Sequence, residues 1–98
     1  MEEQKINKLK TLIGFAIKSN KLKYGIDNVS KKAHLVLVSE ELSESSLDKL
    51  KNICEKNNIS HKLLCKELFG KLFNEGIKAV SIDKSELSNA IYQLMEEN

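Results

Sequence analysis

The residues of this sequence best suited to chemistry on a bound ligand lie in the segment KLKYGIDNVSKK, residues 21–32. A glycine before a helix leaves the first backbone N–H groups uncovered, so that a ligand can approach them closely, and Gly25 holds that position here. Asp27 and Asn28 follow it, and their side chains could hydrogen-bond to the edges of nucleic acid bases. The same three residues are equally well an ordinary helix N-cap. Lysines that could contact phosphate flank them on both sides: Lys21, Lys23, Lys31 and Lys32.

Side chains typical of catalytic or metal sites are few and scattered. Cys54 and Cys65 are too few for a disulfide scaffold and too isolated for a zinc site, so we expect two reduced thiols. His34 and His61 each open a predicted strand, which could make them neighbours, but no Asp or Cys stands at ligand spacing. All four glycines are solitary, so the sequence has no glycine-rich phosphate loop. We therefore predict no catalytic residues, no metal, no cofactor, and a binding protein rather than an enzyme.

Length and composition predict one globular domain over residues 1–98. Charged residues make up 31% and hydrophobic residues 41% of the chain, which is the balance of a folded protein. No apolar run approaches the roughly 20 residues that span a bilayer, and the N-terminus lacks the pattern of a secretory signal. We therefore expect a cytoplasmic protein without membrane contact.

Charge is distributed unevenly along the chain. Residues 1–34 hold eight lysines against three acidic residues, a net charge of +5, whereas the remainder has a net charge of −3. All sixteen strongly basic residues are lysine, so any phosphate contact uses a point charge rather than the fork of arginine. Such an asymmetry is typical of a solvated helix face and, less often, of a protein with a polyanionic partner.

Apolar spacing predicts alternating helices and strands. Helical periodicity covers residues 4–19, 43–56 and 66–74. A final helix opens at Asp83, where Glu86 three residues later resembles a capping box, and two helical turns fit between Ile26 and Ala33. Strands are predicted at 21–24, 34–38, 59–64 and 77–82. This alternation is typical of a sheet covered on both faces, and we predict a three-layer α/β/α sandwich with a central four-stranded mixed sheet.

The order of these elements resembles the kink-turn RNA-binding family of ribosomal proteins over residues 8–95. The motifs are Lys-Leu-x-x-Gly before the short helix, CEKNNI at the end of the long helix, and KELFGKLF after the next strand. In that family, a Gly-x-Asn-Glu-x-x-Lys segment opens the second helix; its Asn and Glu contact the guanines of sheared G·A pairs and its Lys contacts the RNA backbone. Gly25 and Lys31 match this segment, with Asp27 and Asn28 in place of its Asn and Glu.

The resemblance implies a second RNA contact, in the loop after the strand that follows CEKNNI. In the family this loop covers an extruded nucleotide, and the matching residues here are Leu63, Leu64, Cys65 and Lys66. Together with Gly25, Asp27, Asn28 and the four lysines of residues 21–32, they form the predicted RNA-binding site. The implied partners are a kink-turn or related structured RNA and the ribosome, for a small bacterial relative of the family that we expect to be a monomer.

Four departures from the family pattern bear on specificity. Leu35 lies only ten residues after Gly25, so the second helix is shortened by about a turn. Ser60 replaces a proline, the loop that covers the extruded nucleotide is a residue shorter, and the polar pair of the second helix is changed in identity. General RNA binding tolerates these changes better than kink-turn specificity does. The alternative function is a protein-interaction module on the same fold with an eroded RNA site. A methyltransferase related to this fold is disfavoured because the chain has no cofactor loop.

Overall fold

The computed structural model describes residues 2–96, so residues 1, 97 and 98 of the predicted domain lie outside it. Helices α1 to α4 span Glu3–Lys18, Glu44–Lys56, Lys66–Leu72 and Glu86–Glu96. Strands β1 to β4 span Leu22–Tyr24, Ala33–Ser39, Ser60–Leu64 and Ala79–Asp83. One turn of 3₁₀-helix, Ile26–Asn28, lies between β1 and β2. All four predicted strands fall within two residues of the observed bounds.

The strands form one mixed sheet in the order β1-β4-β2-β3. β2 and β3 are parallel, and β4 runs antiparallel to β1 and to β2, so that β1, β2 and β3 all point the same way. At the carboxyl ends of β1 and β2, backbone hydrogen bonds of 2.9 Å tie these strands to their neighbours. Gly25 N–H donates to Ala79 O and Ser39 N–H to Lys78 O, both at the start of β4, and Glu40 N–H donates to Leu64 O at the end of β3. The prediction of a four-stranded mixed sheet is confirmed.

Side chains of β2 point to both faces of this sheet, and helices cover both. Leu35 and Leu37 belong to the core cluster shared with α1, α3 and α4, whereas Val36 and Val38 belong to the cluster shared with α2 and the 3₁₀ turn. All four side chains are fully buried, and burying one such side chain stabilises the fold by roughly 1.5–3 kcal/mol. The predicted three-layer α/β/α architecture follows from this two-sided burial.

An asparagine terminates each of the two helices that precede β1 and β3, namely α1 and α2. Asn20 and Asn58 have positive φ angles of 59° and 55°, a backbone region that Asn tolerates better than most residues. The N–H groups of Lys21 and Ile59 each donate to the carbonyl oxygen five residues back in the helix, over 2.8 Å. This is the Schellman arrangement, so the helix carboxyl ends of α1 and α2 lie at the amino ends of β1 and β3.

The last helix is capped by a different residue from the one predicted. Asp83 is the final residue of β4, and its N–H donates to Lys21 O over 2.7 Å, which keeps it in the sheet. Ser88 N–H donates to Ser85 Oγ over 3.1 Å, and Ser85 N–H donates to Ser88 Oγ over 2.8 Å. These two serines form the reciprocal capping box of α4, and the prediction of Asp83 and Glu86 for that role is wrong.

The prediction of a two-turn helix over residues 26–33 is also wrong. The helical part is the single 3₁₀ turn Ile26–Asn28, and Val29 is already extended, with φ −69° and ψ 115°. Asn28 Nδ2 donates to Tyr24 O over 2.8 Å. A local side-chain bond from Asn and a β-branched residue next to it both disfavour continuation of a helix.

Gly25 gives a test of how the 3₁₀ turn begins. Its φ of 85° and ψ of 154° lie in a region used almost only by glycine, although a Cβ there would meet no atom within 4 Å. We predict that Gly25→Ala lowers the free energy of unfolding by about 1–3 kcal/mol, because of backbone strain alone. Gly14→Ala is the matched control: it also meets no atom within 4 Å, and inside α1 it should raise that free energy by about 0.5–1 kcal/mol. Urea unfolding measures the free energy of unfolding of both variants. A change of the same sign and size in the two variants would contradict the prediction.

Candidate nucleic-acid interface

Two segments of the predicted site lie at one end of the sheet, where β1, β2 and β3 end. Residues 25–28 follow β1, and residues 63–66 end β3 and begin α3. β1 and β3 are the outer strands, so three strand spacings, about 14 Å, separate the two segments. We call this end, formed by residues 24–28, 39–41 and 63–66, the carboxyl-end surface. Segments distant in sequence thus meet the solvent on the same side of the molecule.

The polar side chains of the 3₁₀ turn have partners within the protein. The Asn28 amide is oriented by its bond to Tyr24 O. Asp27 Oδ1 lies 3.4 Å from Lys49 Nζ in α2, and both side chains are mostly exposed, at 83% and 62%. An exposed ion pair contributes at most about 1 kcal/mol, so Asp27 can exchange this partner at small cost. No local sequence pattern indicates Lys49 as a partner of Asp27, because only packing of the turn beside α2 brings the two together.

Exposure alternates along the second segment. Leu63 is 57% exposed and Cys65 is exposed, whereas Leu64 is 7% exposed within the core. Lys66 Nζ lies 3.8 Å from Glu41 Oε2, with both side chains partly exposed. The side chains of Leu63 and Cys65 can therefore form an apolar platform, and Leu64 can contribute only its backbone.

Acidic residues that the sequence analysis missed lie between the two segments. Glu40 and Glu41 directly follow β2 and are exposed. Together with Asp27 they are three acidic residues against one basic residue, Lys66, so the carboxyl-end surface has a net charge of −2. Negative charge opposes the approach of phosphate. Binding of a nucleic acid here therefore depends on hydrogen bonds and apolar contacts more than on charge.

The segment after Gly25 runs the whole length of β4. Gly25 N–H is bonded to Ala79 O at the start of that strand, and Ser30 Oγ donates to Asp83 Oδ1 over 3.3 Å at its end. Four residue steps along a strand span about 13 Å. The chain has therefore reached the amino end of β2 before Lys31, whereas a helix would have kept Lys31 within a turn of the polar pair.

The four predicted lysines of residues 21–32 consequently do not join the carboxyl-end surface. Lys21 precedes β1, while Lys31 and Lys32 precede β2, so that all three lie at the opposite end of the sheet. Lys23 Nζ donates to Asn20 O and Oδ1, over 3.0 and 3.2 Å. The structure thus places the predicted residues in two groups, one at each end of the sheet.

The two histidines do not form a common site. His34 Nδ1 lies 2.9 Å from Ser88 Oγ, and its ring stacks on Tyr92 of α4 with centroids 5.6 Å apart. His61 is exposed on the edge strand β3. Within residues 2–96, no group of three or more His, Cys, Asp or Glu side chains is placed to hold a metal ion.

A sequence model of one protein family matches most of the chain. The family is the Ribosomal protein L7Ae/L30e/S12e/Gadd45 family, and the match covers residues 7–92. This chain belongs to that family. The resemblance inferred from the sequence motifs is confirmed. Comparison with curated proteins gives no match.

Solved structures share the fold of this L7Ae/L30e/S12e/Gadd45 family member. A protein of unknown function from Bacillus halodurans superposes with a TM-score of 0.75 at 20% identity, covering 91% of this chain and 97% of the other. The Giardia lamblia 15.5kD RNA binding protein superposes with a TM-score of 0.71 at 19% identity, covering 99% of this chain and 89% of the other. At these identities the likeness concerns the fold.

Family membership agrees with the prediction of a binding protein rather than an enzyme. In the structure, Gly25 lies directly before the 3₁₀ turn, and Lys31 lies beyond that turn. No helix within residues 2–96 is long and apolar enough to cross a membrane.

The two thiols test the exposure of the second segment. Cys65 is exposed, whereas Cys54 is 1% exposed and burial raises the pKa of its thiol above the usual value. Because the thiolate is the reactive form, we predict that Cys65 reacts rapidly with a thiol reagent at mildly alkaline pH and that Cys54 reacts only after unfolding. The Cys65→Ser variant should lose the rapid phase and Cys54→Ser should keep it. Rapid reaction of both thiols in the native protein would contradict the structure.

Proposed function

We propose that this protein binds structured RNA and recognises a kink-turn or a related bent RNA through the carboxyl-end surface. The observation that carries the proposal is the exposure, at one end of the sheet, of most residues of the two segments: Gly25, Asp27, Asn28, Leu63, Cys65 and Lys66. These are the segments that the family resemblance associates with sheared G·A pairs and with an extruded nucleotide. Membership of a ribosomal protein family supports RNA binding, and one protein of the same fold is described as RNA binding. On the same basis we propose an association with the ribosome.

The groups that the 3₁₀ turn offers a ligand are suited to guanine. Asp27 presents carboxylate oxygens, which only accept hydrogen bonds. Asn28 donates one of its two amide N–H groups to Tyr24 O, which leaves the other N–H as a donor and Oδ1 as a second acceptor beside Asp27. Guanine presents its N2 amino donor at the minor-groove edge, where A·T pairs show only acceptors. Two adjacent acceptors therefore favour an RNA element that exposes guanine edges, as sheared G·A pairs do.

The second segment and the neighbouring lysines supply the remaining contacts. Leu63 offers apolar surface on which an unstacked base can rest. Lys49 lies beside the first segment and Lys66 belongs to the second, and they are paired with Asp27 and Glu41 at exposed positions. When Asp27 bonds a base, Lys49 is released and can contact a nearby phosphate at little cost.

Recognition of this kind acts on the shape of the RNA. A kink-turn bends a duplex sharply and crowds phosphates together, which makes the bent form costly on its own. A protein that binds only the bent form shifts the RNA toward it by the difference in affinity between the two forms. Since the carboxyl-end surface has a net negative charge, this preference comes from base-edge and apolar contacts, and it should depend weakly on salt.

The proposal predicts a preference for bent RNA that depends on the 3₁₀ turn. We expect the protein to bind a standard kink-turn duplex at least about tenfold more tightly than a straight duplex of equal length, since one specific base contact contributes about 1–3 kcal/mol. The Asp27→Ala/Asn28→Ala variant should bind both RNAs equally. Mobility shifts at two salt concentrations measure the ratio.

The matched control is Asn52→Ala/Glu55→Ala, which removes the same kinds of side chain from exposed positions of α2. This control should keep the wild-type preference. Equal binding of both RNAs by the wild-type protein would reduce the proposal to general RNA binding. Absence of binding to either RNA would overturn it.

Cys65 provides a second, independent readout at the other segment. Saturating kink-turn RNA should slow the reaction of Cys65 with a thiol reagent at least severalfold, because the bound nucleotide covers the platform that includes it. A straight duplex should protect Cys65 much less. Tight binding of the kink-turn without protection would place the RNA elsewhere on the molecule.

One observation favours the alternative of a protein-interaction module. Glu40, Glu41 and Asp27 make the carboxyl-end surface acidic, which suits a basic protein segment better than it suits phosphate. The same RNA experiments decide between the two functions, since this alternative predicts no preference for the kink-turn. The monomeric state and the cytoplasmic location remain predictions from the sequence.

A further inference from the structure

A basic cleft lies at the end of the sheet opposite the carboxyl-end surface. Its volume is about 510 Å³, and six of the residues that line it are Lys21, Lys31, Lys32, Lys84, Asn58 and Asp83. We call it the lysine cleft. It brings together residues from four separate parts of the chain, and Lys84 had no place in the site predicted from the sequence. Six residue steps of β2 put it about 20 Å from the carboxyl-end surface.

Backbone hydrogen bonds fix the positions from which these lysines extend. Asp83 N–H donates to Lys21 O over 2.7 Å, and Lys84 N–H donates to Lys32 O over 2.9 Å. Lys32 N–H in turn donates to Ser30 Oγ over 3.1 Å. The cleft therefore stands on the ends of paired strands rather than on a long free loop, and its charges are held near one another by the fold.

The charge of the lysine cleft has no internal counterpart. Its four lysines and one aspartate give a net charge of +3, which exceeds the +2 of the whole chain, so the remainder of the molecule is net negative. Asp83 accepts from Ser30, and within residues 2–96 none of the four lysines forms a salt bridge. Cations concentrated in a concave site raise the local concentration of anions.

We propose that the lysine cleft binds the phosphate backbone of an RNA segment, by charge and without sequence preference. The segment is a different one from that held at the carboxyl-end surface, because the two sites lie at opposite ends of a molecule that measures 33 × 26 × 23 Å. The protein then contacts two stretches of RNA at once. The carboxyl-end surface recognises the bent shape of one stretch, and the lysine cleft binds the negative charge of the other. This inference goes beyond the proposed function, since it uses other residues and another feature of RNA.

A structural role for the same lysines makes a different prediction. α1 and α2 both end beside the cleft, and lysines near a helix carboxyl end offset its partial negative charge by about 0.3–1 kcal/mol each. If that is their only role, removing the lysines lowers the thermal stability and leaves RNA affinity unchanged.

The test compares two triple variants of equal charge. Lys31→Gln/Lys32→Gln/Lys84→Gln alters the cleft, and Lys10→Gln/Lys51→Gln/Lys71→Gln alters exposed helix positions outside it. We expect the cleft variant to bind a straight RNA duplex at least tenfold more weakly at low salt than the control variant does. The slope of log affinity against log salt should fall by about two to three, because each phosphate contact contributes about 0.7–0.9.

Several outcomes would overturn the inference. One is equal affinity and equal salt dependence of the two variants, and another is no binding of the straight duplex by the wild-type protein at low salt. If inorganic pyrophosphate binds the cleft and the duplex does not, the site serves a small phosphate ligand and the assignment to RNA is wrong.

The same samples separate this inference from the proposed function. The ratio of kink-turn to straight-duplex affinity, measured at higher salt on the cleft variant, should stay at its wild-type value if the carboxyl-end surface reads the bend. Loss of duplex binding in the cleft variant, together with no kink-turn preference in the wild type, would support the lysine cleft and refute kink-turn recognition.

Discussion

The burial of β2 on both faces is the constraint on which the rest of the structure depends. Its inner residues alternate between two core clusters, and both clusters exclude water from the strand. Helices must therefore cover both faces of the sheet, and polar connections are confined to its two ends because a buried loop would leave backbone groups unpaired. The loops between the elements of this protein therefore lie at one end of the sheet or the other.

The two ends differ in chemistry because different elements finish there. At the carboxyl end, β1, β2 and β3 open into short turns that carry hydrogen-bond acceptors, an exposed leucine and three carboxylates. At the amino end, the starts of β1 and β2 and the end of β4 converge with the closing turn of α2, and four of the nine residues that line the cleft there are lysines. The carboxyl-end surface, proposed to select the RNA, and the lysine cleft thus lie at opposite ends of one small sheet.

In the proposed mode of binding, attraction to phosphate and contact with base edges come from two separate surfaces of the protein. Coulombic attraction to phosphate acts without regard to sequence and weakens with salt, whereas base-edge contacts discriminate and are short in range. Placing them about 20 Å apart lets each operate without the other. The shortening of the helix after β1 produces the division, since an extended chain from Val29 onward carries the lysines away from Asp27 and Asn28.

The sequence by itself determined the alternation of elements, because apolar periodicity and turn residues are local signals. All four strands follow from these signals within two residues. Its motifs identified the family by resemblance, and the same resemblance singled out the two segments that lie at the carboxyl-end surface. Only the tertiary structure decided the fate of residues 26–33 and the cap of α4. At residues 26–33 a helix signal competed with the local bond from Asn28 to Tyr24 and with the distant bond from Ser30 to Asp83. At the start of α4 it competed with the bond that holds Asp83 in the sheet beside Lys21, far along the chain. A pattern read along one segment contains no information about such partners, so the position of the lysines could be known only once the strands had paired.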